Sequence, residues 1–461
     1  MTTGLKDEEK SRQIPDGAVN ILKLFNNAKY EAYLVGGCVR DLLLKVKPHD
    51  FDICTNATPD EIEKLLKNNG YKYHTLGIKF GTITARCDDG EYEITTYRAD
   101  SKEYSDNRRP DSVRFITDIS EDLARRDFTI NAIAYNPLSN EFVDKFGGCK
   151  DLLQHKISAV GDPDERFKED ALRILRALRF AIKYDLEIDV YTKQAMINNK
   201  ELLQNISKER ITSELEKMLT SGKDIKGWFN EYSWLIAEII PEIKPTIGFN
   251  QNNKYHWHDV YEHMLYVVDG CKTNDFIIKL AALLHDTGKP SSYTEDSEGW
   301  GHFYGHPLVS KQITEEIIKK RLRLSREQSD MLLELVEFHD MTLGKTKASV
   351  RRALNKHGEE FFEKWFILKE SDVADHKYSD TLREKYGLAD IKDLAQQVLD
   401  EESCFSLRDL AVNGNDIMKE LNLKPGKQVG EILNALLNEV IDEKIENNKE
   451  SLLARTSELY N

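Results

Sequence analysis

The sequence predicts an α+β protein of several domains, with a mixed α/β head at the N-terminus and helices after it. Short β-rich runs separated by turns lie between about residues 30 and 145. From Asp164 onward apolar residues recur at helical spacing and strand-like alternation almost disappears, so we expect an all-helical remainder. A chain of 461 residues also exceeds what one hydrophobic core usually supports.

Composition narrows the class of protein. With 40% hydrophobic and 31% charged residues, the chain is typical of globular proteins. Its apolar runs are too short for a signal peptide or a membrane span, and its six cysteines form no CxxC pair, so we expect a reducing, cytoplasmic setting. The net charge of -15 disfavours general binding to nucleic acids, so any RNA contact requires a local basic surface.

The first candidate site begins with a glycine turn. The stretch YLVGGCVRDLLL, residues 33–44, is typical of a strand, a glycine turn and a helix. Gly36 and Gly37 leave room for a phosphate to approach backbone N–H groups at the start of that helix, and Arg40 follows one turn later. The pattern predicts an anion site.

Two aspartates follow in an extended segment. Asp50 and Asp52 are two residues apart, so their side chains project from one face of a strand. Paired carboxylates suit magnesium, and two metals held this way support nucleotidyl transfer. Glu93 is a candidate third catalytic carboxylate. The alternatives are a solvated strand edge for the pair and an ordinary surface glutamate for Glu93.

Arginines supply a third element. Arg125 and Arg126 open the stretch RRDFTINA, and a triphosphate site needs guanidinium groups of this kind, although a plain surface pair would look the same. In the stretch EDALRILRALR, residues 169–179, the arginines and the later Lys183 fall within about a 120° arc of a helix whose other side is apolar. That face is either solvated or lets Asp170 and Arg173 read a base edge.

Together, in this order, these elements resemble the class II tRNA nucleotidyltransferases, that is, the CCA-adding enzymes and bacterial poly(A) polymerases. The resemblance covers Tyr33 to about Leu219 through LVGGxVRD, DxD, RRDFTINA and EDALRxLRxxR, and extends more loosely to the C-terminus. It implies a polymerase-β-like nucleotidyltransferase head, a helical neck, Mg²⁺ as cofactor, and tRNA, CTP and ATP as partners.

The resemblance also implies residue roles. Asp50 and Asp52 would bind magnesium, and the Asp170 and Arg173 pair would act as the amino-acid template for base choice. The segment Tyr104 to Pro110 resembles the family's flexible loop, which implies CCA rather than CC addition. The expected nucleotide-binding residues are Gly37, Arg40, Arg126, Asp127, Asp170, Arg173, Arg176 and Arg179.

A second candidate site lies further along the chain, because nine of the twelve histidines fall between His256 and His376. Imidazoles and carboxylates from several helices suit one or two divalent ions that activate water against a phosphoester. The run, and above all HDTGKP, resembles the HD superfamily of metal-dependent phosphohydrolases. The implied ligands of a divalent transition metal are His263, His285, Asp286 and Asp372, with His306 and His339 available to a second ion and Asp375 as a rival for Asp372.

The resemblance to HD proteins allows two functions for this region. Some HD-bearing tRNA nucleotidyltransferases have phosphatase or 2′,3′-cyclic phosphodiesterase activity, which implies repair of damaged RNA ends. The alternative is an HD fold kept only as an RNA-binding body. We expect a head at 14–148, a helical neck or RNA-binding domain at 149–240, an HD domain at 241–400, and a C-terminal tRNA-binding region at 401–461 that contains a helix hairpin over residues 410–453.

Rival functions remain at this point. A poly(A) polymerase or an enzyme that adds only A would use the same chemistry. Alarmone synthetase-hydrolases also join an HD domain to a polymerase-β-like transferase, but their HD domain comes first and here it comes second. A non-catalytic RNA-binding protein is disfavoured by the aspartate pair. The sequence leaves the oligomeric state open.

Overall fold

The computed structural model describes residues 14–100, 113–400 and 406–460. The chain divides into two compact units, Met1–Lys223 and Asp224–Asn461. The first combines a β-sheet with helices and the second is mostly helical, which confirms the predicted α+β class. The predicted flexible loop at residues 104–110 lies outside the described residues.

A seven-stranded sheet forms the centre of the first unit, in the order β3-β4-β5-β2-β1-β8-β9. The β2–β5 pair is parallel, and the other neighbouring strands are antiparallel. Strands β6 and β7 form a separate pair. The strands of the unit are β1 Ala32–Val35, β2 Ile53–Thr55, β3 Lys72–His74, β4 Thr82–Cys87, β5 Gly90–Thr96, β6 Arg98–Asp100, β7 Val113–Phe115, β8 Ala134–Asn136, β9 Glu141–Val143, β10 Lys156–Ile157 and β11 Glu187–Ile188.

The sheet lies within residues 30–145, where the sequence predicts short β-rich runs. Strand β2 begins only at Ile53, so Asp50 and Asp52, which the sequence predicts on one face of a strand, lie in the extended segment that leads into it. The backbone carbonyl of Asp52 still accepts a hydrogen bond from Val35 N at 3.0 Å. Strands β1 and β2 are central in the sheet and almost fully buried. They therefore fix the position of the segment that carries Asp50 and Asp52, next to the hydrophobic core.

Nine helices complete the described part of the first unit: α1 Asp16–Asn27, α2 Gly37–Leu43, α3 Pro59–Asn68, α4 Ile119–Ala124, α5 Gly148–Leu153, α6 Pro163–Glu169, α7 Leu172–Tyr184, α8 Val190–Asn199 and α9 Lys208–Leu219. The start of α3 shows how sequence sets a boundary. Thr58 and Glu61 form a reciprocal capping box, and Pro59 occupies the first turn, where its missing N–H has no partner to lose.

The prediction of an all-helical remainder is wrong at two places. Strand β11 pairs in parallel with β10, and β12 Thr294–Glu295 pairs with β13 Gly301–His302. Each of these strands has two residues, which is too short to show an alternating pattern in the sequence. The pairing of β10 with β11 also depends on residues about 30 positions apart, which no local pattern reports.

Helices dominate the second unit. They are α10 Ile225–Glu231, α11 Ser233–Ile239, α12 Val260–Gly270, α13 Phe276–Leu284, α14 His306–Lys320, α15 Arg326–Phe338, α16 Lys347–His357, α17 Glu359–Ala374, α18 Ser379–Tyr386, α19 Leu388–Asp400, α20 Gly414–Glu420, α21 Lys427–Ile441 and α22 Lys449–Tyr460. Among the described residues, no helix has the length and apolar character needed to span a bilayer.

The C-terminal part holds three helices, so the predicted helix hairpin is incomplete. A cluster of buried side chains from α20, α21 and α22 includes Ile417, Leu436 and Leu452. The sequence pattern missed the last helix because a polar stretch precedes it. In the structure that stretch turns the chain, and Leu452 is fully buried. The C-terminal helices thus have an apolar core of their own.

Candidate active sites

The three predicted carboxylates of the first site lie close together in the middle of the sheet, where β2 begins beside β5. Ile53 pairs with Ile94 in parallel register, which places Asp52 level with Glu93 on the neighbouring strand. Phe51 is buried between the two aspartates, so Asp50 and Asp52 face the opposite, accessible side. Burial and the charges of Asp50 and Glu93 raise the pKa of the Asp52 carboxyl to about 6, against the opposing effect of Arg126. The three carboxylates therefore lie close enough for Asp50 and Glu93 to add to the cost of ionising the buried Asp52, a cost that a bound cation would lower.

The glycine turn brings Arg126 to these carboxylates. Gly36 has a φ of +79°, and a Cβ there would lie 2.8 Å from Nη1 of Arg126. Arg126 is held from the other side by Asp122, with Nη2 and Oδ2 3.3 Å apart. Its Nε atom is buried and has no hydrogen-bond partner among the described residues. This guanidinium therefore lies beside the aspartates with donor capacity left for an anion.

Arg40 has a different environment. It is buried, and it donates to Asp41 Oδ1 at 2.9 Å, to Asn131 Oδ1 at 2.6 Å and to Tyr184 Oη at 2.6 Å. Its guanidinium also lies 5.0 Å from the ring centre of Phe180. These contacts join α2 to α7 and to the RRDFTINA stretch. Contact of Arg40 or Gly37 with a triphosphate stays a prediction.

The arginines of α7 occupy its less buried stripe, as the periodicity predicts, but that stripe is not simply cationic. Each arginine pairs with a carboxylate, because a half-buried guanidinium needs a counter-charge. The pairs are Arg173 with Glu169 at 2.7 Å, Arg176 with Asp127 at 2.5 Å and Arg179 with Glu214 at 2.5 Å. Glu169 lies one turn before Arg173, but Asp127 and Glu214 lie 49 and 35 positions from their arginines, so local spacing could not show that the predicted cationic face is neutralised.

Asp127 serves as an anchor within this arrangement. Its Oδ1 accepts hydrogen bonds from Phe128 N and Asn131 Nδ2, and its Oδ2 accepts two from Arg176. Burial would raise the pKa of Asp127, but Arg176 and Asn131 hold it at about 2. With both oxygens engaged, Asp127 positions Arg176, and direct contact with a nucleotide stays a prediction.

Asp170 and Arg173 lie where α6 ends and α7 begins. Asp170 has an extended backbone conformation between the two helices, so its side chain is set by the break and not by the helix. Its Oδ2 pairs with Arg210 at 2.7 Å, and Arg173 also donates to the carbonyl oxygens of Arg166 and Arg125. Arg210 had no signal in the sequence, since it lies 40 positions away on α9.

The second site is a convergence of four imidazoles on Asp286. Nε2 of His263 and of His285 lie 3.5 and 3.3 Å from Asp286 Oδ2. Nε2 of His306 and of His339 lie 3.1 and 3.6 Å from Asp286 Oδ1. One carboxylate therefore faces two histidine pairs, one through each oxygen. This is the geometry of two ligand sets that share a bridging aspartate.

The other ring nitrogen of each histidine is held by an acceptor. Nδ1 donates to a backbone carbonyl in His285, His306 and His339, at 2.9, 2.9 and 2.7 Å. Because a carbonyl only accepts, Nδ1 carries a proton, and in the neutral form of each ring Nε2 then has a free lone pair. Orientation of this kind is typical of histidines that bind metals.

Asp372 and Asp375 occupy opposite sides of His263. Asp372 Oδ1 lies 3.2 Å from Nε2, on the side of the cluster, and Asp375 Oδ2 lies 2.8 Å from Nδ1. The geometry therefore favours Asp372 as the ligand and Asp375 as the group that orients His263. Burial would lower the pKa of His263, but these two carboxylates raise it to about 9.

Unpartnered atoms point into the same place. Nε2 of His285 and Oδ1 of Asp286 are buried without a well-aligned hydrogen-bond partner among the described residues. Burial would raise the pKa of the Asp286 carboxyl, but His285 and Lys289 hold it well below its ordinary value. A nitrogen and oxygen donor set with these orphaned atoms fits a divalent transition metal. His285 and Asp286 follow helix α13, which ends at Leu284, and His285 is its C-cap.

A cleft of about 420 Å³ opens onto this cluster. Sequence reasoning gave no role to several residues that line it, including His256, Lys289 and His376. Lys289 Nζ lies 2.6 Å from Asp286 Oδ2 and donates to Gln251 Oε1 at 2.8 Å. Lys289 lies three residues after Asp286, across the turn that follows α13, and this short spacing is the signal that could have identified it.

Three segments of the chain match known protein families. Residues 32–158 match the Poly A polymerase head domain, and residues 185–228 match the "Probable RNA and SrmB- binding site of polymerase A". Residues 311–455 match tRNA nucleotidyltransferase domain 2. The three segments cover parts of both units.

Whole-chain relatives agree. The chain is 31% identical to a CCA-adding enzyme of Limosilactobacillus reuteri over 98% of this chain and 99% of that protein. It is 32% identical to a CCA-adding enzyme of Bacillus velezensis over 94% and 96%. The crystal structure of the Bacillus stearothermophilus CCA-adding enzyme in complex with CTP matches with a TM-score of 0.68 and 25% identity, over 96% of each chain. The chain therefore belongs to the CCA-adding enzymes and is a CCA tRNA nucleotidyltransferase.

Proposed function

We propose that this chain adds C, C and A to tRNA 3′ ends, taking the nucleotides from CTP and ATP and releasing pyrophosphate. One observation carries the proposal: Asp50, Asp52 and Glu93 meet at the edge of two neighbouring strands beside Arg126. The family supports the substrates, since the Bacillus stearothermophilus relative is described in complex with CTP.

In the proposed reaction the terminal hydroxyl of the tRNA attacks the α-phosphate of the nucleotide. A new P–O bond forms, the bond to the β-phosphate breaks, and pyrophosphate leaves. Asp50 and Asp52 would hold Mg²⁺ with help from Glu93, and the bound ions would supply charge neutralisation and a more acidic attacking hydroxyl. Arg126 adds a buried positive charge next to the position of the triphosphate, so the chain contributes mainly positioning and electrostatics.

Base choice is proposed for Asp170 and Arg173. Both groups are engaged with neighbours, Asp170 with Arg210 and Arg173 with Glu169. The Watson–Crick edge of a cytosine or adenine would replace Arg210 or Glu169 as a partner. These two ion pairs would keep Asp170 and Arg173 ordered when no nucleotide is bound. Arg176 and Arg179 would meet the phosphates or the base from the same stripe. Exchange of one charged partner for another avoids leaving a half-buried guanidinium unpaired.

Four segments are proposed to divide the work. The head at 14–148 would perform transfer and the neck at 149–240 would select the nucleotide. The region 241–400 would form the HD domain, and 401–461 would contact tRNA. The family match at 185–228 supports an RNA role for the neck.

The test uses tRNA trimmed of its 3′ end, incubated with CTP, ATP and Mg²⁺, followed by sequencing of the products. Addition that stops after CCA is expected. Long A-tails would identify a poly(A) polymerase instead, and addition of a single A only to tRNA that already ends in CC would identify an A-adding enzyme. Glu93→Gln in the same assay tests the third carboxylate, with the exposed Glu91→Gln of the same strand as its matched control.

For the second site we propose hydrolysis of a 2′,3′-cyclic phosphate at an RNA end. His263, His285, Asp286 and Asp372 would hold one divalent ion, with His306 and His339 around a second position. Ions bound there would supply an activated water. The water oxygen bonds to phosphorus, the bond to one ribose oxygen breaks, and that oxygen takes a proton, leaving a phosphomonoester. The converging Nε2 atoms carry this proposal, since an RNA-binding body alone has no need of them.

Its test is hydrolysis of RNA ending in 2′,3′-cyclic phosphate, with and without a chelator. Metal-dependent hydrolysis that His285→Ala abolishes is expected, while the variant still adds nucleotides to tRNA. Equal loss of both activities would mean that the two sites are not independent. Absence of hydrolysis in the wild type with Mn²⁺, Co²⁺ or Ni²⁺ would favour the RNA-binding body.

A further inference from the structure

A buried glutamine that is not among the predicted metal ligands reaches the cluster around Asp286 through Lys289. Gln251 is 1% exposed. Its Oε1 accepts a hydrogen bond from Lys289 Nζ at 2.8 Å, and its Nε2 donates to the backbone carbonyl of His258 at 3.2 Å. The reversed amide would set its NH₂ group against an ammonium and its oxygen against a carbonyl. The two neighbours therefore fix the orientation of the Gln251 side chain.

Lys289 lies between this glutamine and the metal ligand Asp286. Its Nζ is 2.6 Å from Asp286 Oδ2, the oxygen that faces His263 and His285. The two atoms are close, yet Asp286 Oδ2 has no well-aligned hydrogen bond among the described residues, whereas the contact of Lys289 with Gln251 is a hydrogen bond. The ammonium thus directs a proton to the amide and offers mainly its charge to the carboxylate.

A divalent ion held by His263 and His285 would use the same oxygen of Asp286. An ammonium and a metal ion on one carboxylate oxygen repel each other, and the repulsion is strong in a buried site. A straight hydrogen bond from Lys289 would also occupy a lone pair of that oxygen. Gln251 offers the ammonium another acceptor, so it weakens the competition between Lys289 and the metal.

The backbone that carries Gln251 is held by the hairpin of β12 and β13. Gly301 N donates to the carbonyl of Asn252 at 2.8 Å, and Asn252 Nδ2 donates to the carbonyl of Gly299 at 2.7 Å. A Cβ at Gly301 would lie 2.5 Å from Gln251 O, so only glycine lets the hairpin come this close. Gln251 is therefore fixed at its backbone as well as at its side chain.

We propose that Gln251 is a positioning residue of the histidine–aspartate site: it keeps the Lys289 ammonium from donating a full hydrogen bond to Asp286 Oδ2, and so leaves that oxygen to the metal. The inference rests on the metal site of the proposed function. It adds a residue that controls metal affinity without contacting the metal.

The experiment is a double-mutant cycle on metal affinity, in which Co²⁺ is titrated into metal-free full-length protein and its visible absorption gives Kd. Gln251→Met keeps the length of the side chain but removes the acceptor, and it is expected to raise Kd about 10-fold. In a Lys289→Met background the same change should alter Kd less than about twofold, because no ammonium remains to be held. Lys289→Met alone should bind Co²⁺ at least as tightly as the wild type. Gln396→Met removes an exposed amide of α19 outside the cleft and is the matched control.

A second variant decides the question even if Lys289→Met does not fold. Gln251→Glu gives the ammonium a charged acceptor, so its Kd should fall below that of the wild type. Similar losses of affinity in Gln251→Met and Gln251→Glu would identify an amide that only supports the fold. Weaker Co²⁺ binding by Lys289→Met, or an equal effect of Gln251→Met in both backgrounds, would also overturn the proposal.

The outcome for hydrolysis is separate. The expected pattern of Kd values without hydrolysis of a cyclic phosphate would support the role of Gln251 and overturn only the hydrolytic function. A wild type that binds no Co²⁺ would overturn both.

Discussion

The proposed nucleotide site of the first unit and the histidine–aspartate site of the second hold their polar groups in opposite ways. In the first, the arginines of α7 are each paired with a carboxylate of the protein. In the second, imidazole nitrogens and carboxylate oxygens face one another, and His285 Nε2 lacks a well-aligned partner among the described residues. A substrate that comes and goes suits internal counter-ions that it can replace. A cation that stays bound suits ligand atoms that face one another and have no other hydrogen-bond partner in the protein.

The largest effect expected in the second unit is loss of the proposed bound ion. His285→Gln keeps the size and polarity of a fully buried side chain but removes an Nε2 ligand. Since changes to groups that only orient a ligand cost roughly 10–100-fold in metal affinity, this change should cost more than about 100-fold. Metal content measured by mass spectrometry after dialysis gives the result. His74→Ala, a half-exposed histidine on β3, should leave the content unchanged.

Unchanged metal content in His285→Gln would contradict the claim that the second site, unlike the arginine stripe of the first, is built to hold a cation. It would mean that the convergence of imidazoles on Asp286 is a packed polar core. The wild type would then release no ion on chelation and gain no thermal stability from Mn²⁺ or Ni²⁺.

A smaller effect is expected from Asp375→Asn. Asp375 accepts from His263 Nδ1 at 2.8 Å and orients the ring without entering the cluster. An amide is a weaker acceptor, so metal affinity should fall about 10–100-fold while metal still binds at high concentration. Asp372→Asn, which removes a ligand oxygen, should cost more. If Asp375→Asn were the more damaging change, the roles assigned to these two aspartates would be reversed.

The smallest effect concerns stability at the first site. The pKa of Asp52 is raised to about 6 in the folded protein, so the folded protein binds a proton at Asp52 more tightly than the unfolded chain does. In chelator, the stability it contributes is present below about pH 4 and is lost as pH rises through about 6. Asp52→Asn should therefore stabilise the metal-free protein at pH 8 by on the order of 1–3 kcal/mol and have little effect at pH 4.

Thermal denaturation at the two pH values measures this difference. Mg²⁺ should stabilise the wild type at pH 8 more than it stabilises Asp52→Asn, since the ion compensates the clustered negative charge. The exposed Asp60→Asn on α3 is the control and should show neither change. Destabilisation by Asp52→Asn at pH 8 in chelator would contradict a clustered-charge site.

Local patterns in the sequence predicted much of the two sites. Residue spacing placed Asp50 and Asp52 on one side of an extended segment, and it placed the arginines of α7 on one stripe. Clustering of the histidines predicted a metal site, and the resemblance to HD proteins implied which residues would form it.

Long-range partners could not be predicted in this way. Glu214 and Arg210 neutralise α7 and Asp170 from a helix about 35–40 positions away, and no periodicity links them. The side of His263 on which Asp372 and Asp375 lie depends on how α12 and α17 pack. The terminal helix α22 was missed because a polar stretch precedes it, and the burial of Leu452 that identifies it in the structure depends on α20 and α21. In each case tertiary packing decides what local propensity leaves open.

Incorporation of labelled nucleotide into trimmed tRNA by Asp52→Ala tests the central claim most directly. The account predicts a loss on the order of 1,000-fold, because a ligand oxygen of the transferase centre disappears. Asp60→Ala and His285→Ala should remain close to the wild type. Activity retained in Asp52→Ala, or lost equally in His285→Ala, would contradict a carboxylate centre in the first unit that works independently of the second.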